Sequence, residues 1–132
     1  MATETHQEAP AVSVALAHVE AWSNRDYEAA RAALAPEVKV TVTSTVEGLP
    51  KTDTVGVDDY MTGLIAFADA VVPGSVRIDG SIGDERNALL LVTVKTAGPP
   101  TGSTTLPAAH LYLLDEENKI KSEQVVFYLV PD

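Results

Sequence analysis

The chain has 132 residues, 45% of them hydrophobic and 21% charged, and it contains no cysteine. That length suits one ordinary domain able to bury a core unaided, and the lack of cysteine excludes disulfides and thiolate metal sites. Nineteen acidic residues against nine basic ones give a formal net charge of −10, which repels phosphate backbones and anionic lipid, so neither nucleic acid nor a membrane is expected as a partner.

Residues 1–8 are polar and acidic, without the basic and apolar regions of a signal peptide, and read as a flexible tail before a single domain over residues 9–132. No apolar run reaches the roughly 20 residues that span a bilayer. The expected location is the cytoplasm. Pro10 suits the first turn of a helix, and Val12, Ala15, Leu16, Val19 and Trp22 continue it at helical spacing. Asn24, Arg25 and Asp26 break that helix. Asp26 can cap a second one, Tyr27 to Leu34, with Pro36 closing the pair.

Val38 to Thr45 alternates β-branched residues with period two, as a strand does. The stretch with Gly48, Pro50 and Gly56 reads as a loop. Asp58 and Asp59 open a third helix, where their charge suits the helix dipole, and Pro73-Gly74 ends it. Four strands follow: Ser75 to Ile82, Ala88 to Thr96, Thr104 to Asp115 and Ile120 to Val130. A loop at Ala97 to Thr101 separates the middle two. Asn118, able to take a left-handed backbone, turns the chain into the last strand. Helices followed by a run of hairpin-linked strands define an α+β fold, its curved sheet wrapped around three helices.

Three stretches carry a family resemblance. They are Ala17 to Val38, Gly56 to Tyr60, and Ala108 to Ile120, the last ending in a turn similar to a D-G-K-I motif. Together they resemble the nuclear transport factor 2-like superfamily, above all its SnoaL-like and ketosteroid-isomerase-like branches. The resemblance implies a cone-shaped, mostly antiparallel sheet, an apolar pocket and a homodimer. In the steroid isomerases a tyrosine on the first helix and an aspartic acid on the penultimate strand bind the substrate carbonyl; His18 and His110 stand at those positions here. The isomerase base position falls at Val42, which cannot move a proton.

His110 and Tyr112 share one face of their strand, as do Glu123, Val125 and Phe127 on the next. Leu90, Val92 and Val94 would line the same pocket, with Val42 and Trp22. A cluster of His18, His110, Tyr112 and Glu123 could carry acid–base chemistry: imidazole titrates near neutral pH, a carboxylate fixes its tautomer, and a phenol donates to an oxyanion. Each residue also has a structural reading, as a hydrogen-bonded core group or, for Glu123, a solvent-facing or dimer-facing one. No metal-ligand motif, phosphate loop or nucleophile motif is present, and no metal or cofactor is expected. Two functions remain open. One is a cofactor-free isomerase, cyclase or dehydratase acting through His110, with His18 and Tyr112 as donors, on an apolar small molecule. The other is a non-catalytic ligand-binding or dimeric interaction module.

Overall fold

The computed structural model describes residues 9–44, 51–97 and 103–128. The expected tail at 1–8, the loop positions Gly48 and Pro50, the loop at 98–101 and the end of the last strand at 129–130 lie outside the described residues. The elements run α1 (Pro10–Ser23), α2 (Tyr27–Ala32), β1 (Leu34–Ser44), β2 (Thr52–Val55), α3 (Val57–Ala70), β3 (Arg77–Gly83), β4 (Asn87–Ala97), β5 (Ser103–Leu114) and β6 (Ile120–Phe127). All six strands join one sheet in the order β2-β1-β6-β5-β4-β3. The meander β3 to β6 is antiparallel, β2 is antiparallel to β1, and β1 runs parallel to β6. The α+β architecture is therefore as the residue pattern implied.

Local chemistry explains the boundaries. Pro10 is the first residue of α1, where no intrahelical bond needs its missing N–H. Arg25 takes a left-handed backbone, φ 61°, and the Asp26 carboxylate accepts the Ala29 N–H at 3.2 Å to start α2. Asn118 is the other non-glycine residue of positive φ among the described residues. Gly56 precedes α3 at φ 101°, which L side chains resist.

Two boundaries differ from expectation. The second helix stops at Ala32, and β1 begins at Leu34 rather than Val38. The competing partner is the last strand: the Ile120 N–H donates to the Ala33 carbonyl at 2.8 Å, and Lys119 Nζ donates to the Ala32 carbonyl at 2.7 Å. Pro36 sits where the β1–β6 register is broken, between Leu34 and Lys39, so its lack of an N–H leaves no gap in a regular ladder. Thr52 to Val55, read as loop, is a short edge strand on β1, with Val40 opposite Thr54 and Val42 opposite Thr52.

The inner face of the sheet is covered in two halves. Helix α1 packs across β4, where Val12, Ala15 and Val19 join Ala88, Leu90, Val92 and Val94 in the buried core. Helix α3 covers β1 and β2 at the other end. Arg25 ties the halves together: its Nη2 donates to the carbonyls of Ala68 and Val71, both at 3.0 Å, and so caps the end of α3.

Candidate functional site

A cavity of about 190 Å³ opens between α3 and the β2-β1-β6 end of the sheet. Its walls are apolar: Trp22 from α1, Val40 and Val42 from β1, Leu64 and Phe67 from α3, Val125 and Phe127 from β6. Thr52, Asp59 and Gly63 are the exposed members of the lining and mark its mouth between β2 and α3. Tyr60, His110 and Glu123 are buried and form its polar floor.

Strand geometry places the floor. Val40 and Val42 of β1 lie opposite Glu123 and Val125 of β6, and Tyr112 lies opposite Glu123 across the β5–β6 ladder. A register shift between Leu113 and Leu114 lets both Ile120 and Glu123 point inward although they stand three positions apart. Without that bulge the regular alternation could not bury both.

The polar groups form one connected network. His110 Nδ1 lies 3.1 Å from Glu123 Oε2. The Tyr112 hydroxyl is 3.2 Å from the same Nδ1, and its ring is stacked on that of His110. The Tyr60 hydroxyl donates to Glu123 Oε1. His18 Nε2 is 3.0 Å from that hydroxyl, and His18 Nδ1 is 3.0 Å from the Ala30 carbonyl. An ionised carboxylate only accepts, so His110 presents Nδ1–H to Glu123 and keeps a lone pair on Nε2. That Nε2 has no hydrogen-bond partner among the described residues. Orientation of an imidazole by a buried carboxylate, with the second nitrogen left open, is the arrangement of a general base.

Burial acts on Tyr60, Tyr112, His18 and Glu123. It pushes the Tyr60 and Tyr112 hydroxyls well above the usual phenol value, and the Glu123 charge pushes them further, so both remain O–H donors. Burial pushes the His18 imidazole down, with the Glu123 charge opposing it. Burial would raise the Glu123 carboxyl, but the His110 hydrogen bond and charge, with His18 and Tyr60, outweigh it and hold the group below its ordinary value.

The residues singled out from the sequence fall into three groups. Trp22, Val42, His110, Glu123, Val125 and Phe127 line the cavity. His18 and Tyr112 belong to the hydrogen-bond network but stand behind the lining. Leu90, Val92 and Val94 face inward, yet they pack under α1 in the core and do not line this cavity, because α1 already covers that part of the sheet. Tyr60 is not among the candidates from the sequence; its ring is buried, and its hydroxyl joins Glu123 to His18.

The SnoaL-like domain family model matches residues 15–123, and the chain belongs to that family. No curated protein shows significant similarity to it. Among solved structures, a protein from Kribbella flavida DSM 17836 superposes with a TM-score of 0.75 at 23% identity, over 89% of this chain and 86% of that one. An NTF2-like protein of Burkholderia pseudomallei K96243 gives a TM-score of 0.72 at 19% identity, over 90% and 91%. An LEH-like epoxide hydrolase of M. tuberculosis gives 0.66 at 18% identity, over 89% and 82%. At these identities the likeness is one of fold.

Proposed function

We propose that the chain is a cofactor-free acid–base catalyst of the isomerase, cyclase or dehydratase kind, acting on a compact apolar molecule that carries one carbonyl or hydroxyl. The observation that carries this reading is the 3.1 Å pairing of His110 Nδ1 with Glu123 at the floor of an otherwise apolar cavity. His110 Nε2 takes the proton from the bound molecule, Glu123 stabilises the imidazolium, and Tyr112 holds the ring by stacking and hydrogen bonding. Size narrows the ligand class. An apolar cavity of about 150 Å³ takes up benzene, so about 190 Å³ suits a single ring or short branched chain whose remainder extends to the mouth. Trp22 is the only tryptophan and lines the cavity, so its emission reports occupancy. Titration with compact ketones, enones and cyclic alcohols should give a saturable change that weakens in His110→Ala. A flat response across the panel would sink the reading.

The alternative reading, a binding module without catalysis, draws on the same apolar walls. Saturable binding unchanged in His110→Ala would favour it.

Homodimerisation through the outer face of the sheet is part of the proposal. Ile82, Leu89 and Leu111 form one cross-strand row there, and Leu91, Ala109 and Val126 form the next. Ile82 is 69% exposed and Leu111 43%, an apolar patch that a second copy would cover. Sedimentation of Leu111→Lys should give a monomer if this face is the interface; an unchanged mass would rule it out.

A further inference from the structure

The buried network holds fewer protons than its contacts require. Four contacts run in series: Ala30 carbonyl to His18 Nδ1, His18 Nε2 to Tyr60, Tyr60 to Glu123 Oε1, and Glu123 Oε2 to His110 Nδ1. Each needs one hydrogen. A carbonyl only accepts, so the single proton of a neutral His18 sits on Nδ1. Tyr60 supplies one proton and a neutral His110 supplies one, while an ionised Glu123 supplies none. Three protons therefore serve four contacts, and either His18 Nε2 or a Glu123 oxygen faces Tyr60 without a hydrogen between them.

We propose that His110, Glu123, Tyr60 and His18 form a proton relay that takes up one further proton as a unit, with His18 as its terminal acceptor. The transfers balance. A proton received by His110 Nε2 allows Nδ1 to release its own to Glu123 Oε2. A proton on the carboxyl, at Oε1 after rotation, passes to the Tyr60 oxygen as the Tyr60 proton passes to His18 Nε2. The transfer leaves an imidazolium at His18, an ionised Glu123 and a neutral His110 whose hydrogen is on Nε2; once that hydrogen is lost to solvent and Nδ1 takes one up, all four contacts are filled. His18 touches no cavity ligand; it acts through Tyr60 and Glu123 to take the charge off His110, whose Nε2–H then faces the cavity as a donor until that exchange frees it. This last link rests on the catalytic reading of His110, whereas the shared proton does not.

The surroundings suit a shared charge. His18 on α1 faces Tyr60 on α3, Tyr112 and His110 on β5, Glu123 on β6, and the Ala30 carbonyl of α2. Glu123 is the one acid among them, so any positive charge on the imidazole has a single counter-charge, reached through the Tyr60 hydroxyl. The phenol stays protonated because burial raises it, which makes it a conduit rather than a charged stop. Strong interaction between two titrating groups makes the proton belong to the pair.

The test is a pH titration of the full chain carrying ¹⁵N-histidine and ¹³C-glutamate, with no ligand present. His6→Gln and His110→Gln spectra identify the His18 signals. The relay predicts that His18 Nε2 and the Glu123 carboxyl carbon shift together at one midpoint, with His18 Nδ1 protonated throughout. In Tyr60→Phe the joint step should split in two, because the bridging hydroxyl is gone. A His18 step that leaves the Glu123 carboxyl carbon unmoved in the unsubstituted protein overturns the relay, whether or not the variant folds; protonation of the carboxyl itself is a later step at lower pH. A protein without catalytic activity that still shows the joint step would reject the catalytic reading and keep the relay.

Discussion

His18 Nδ1 stands 3.0 Å from the Ala30 carbonyl, and that bond between α1 and α2 decides which ring nitrogen faces Tyr60. The buried imidazole is thereby fixed as the Nδ1–H tautomer when neutral. Replacing it removes the donor to that carbonyl and the partner of the Tyr60 hydroxyl. His18→Leu should lower stability by about 1–3 kcal/mol, read from urea denaturation. An unchanged midpoint would show that neither bond contributes.

Stability should fall on acidification in two stages. Burial holds the His18 imidazole below its ordinary value of 6.5, against the Glu123 charge, so the unfolded chain takes up that proton first. The contribution is complete above about 6.5 and declines as pH falls below it. Glu123 is held below its ordinary 4.5, the pull of His110, His18 and Tyr60 exceeding the effect of burial, so its contribution is lost as pH falls below 4.5. Exposed Asp79 and Asp84 and half-buried Asp115 add to that second stage: the Thr93 hydroxyl and the backbone N–H groups of Arg86 and Lys119 favour their ionised forms. Thermal midpoints measured against pH should show both stages, and His18→Leu should flatten the first. Stability that rises on acidification through 6.5 would contradict the sign.

Arg25 has a structural task that its place in a polar break conceals. Its guanidinium caps the carbonyls of Ala68 and Val71 at the end of α3. Arg25→Met should cost about 1.5–3 kcal/mol, the range for hydrogen bonds to a charged group. Arg25→Lys should recover only part, since an ammonium lacks the planar fork. Chemical denaturation of both variants checks the order.

Gly63 interrupts α3 at the mouth of the cavity, and a Cβ built there meets nothing within 4 Å. Gly63→Ala should therefore stabilise the helix by about 0.5–1 kcal/mol. Gly63→Leu should extend into the open space and weaken the Trp22 response to ligand. Unimpaired binding in Gly63→Leu would move the ligand away from this mouth.

Much of the fold was legible because its signals are local. Pro10, Asp26, Gly56 and Asn118 each act within a few residues of themselves, and each holds the position its chemistry implies. Thr52 to Val55 was not legible: a four-residue edge strand carries no apolar alternation and exists because β1 lies beside it. Strand parity gave the inward face of Leu90, Val92 and Val94 but could not say that α1 fills the space above them. Tyr60 was hidden for a related reason. Helical spacing shows that it packs inward, while its partner Glu123 lies 63 residues further along the chain.

The central claim is that His110 moves a proton on a molecule held in the cavity. It is tested most directly by hydrogen–deuterium exchange at the carbon beside the carbonyl of ketones that the Trp22 titration shows to bind. The exchange is followed by mass spectrometry in deuterated buffer and needs no knowledge of the natural product. The account predicts exchange faster than in buffer alone, reduced about 100-fold or more in His110→Ala and also reduced in Glu123→Gln. Bound ketones that exchange no faster than in buffer would contradict it and leave a cavity that binds without catalysing.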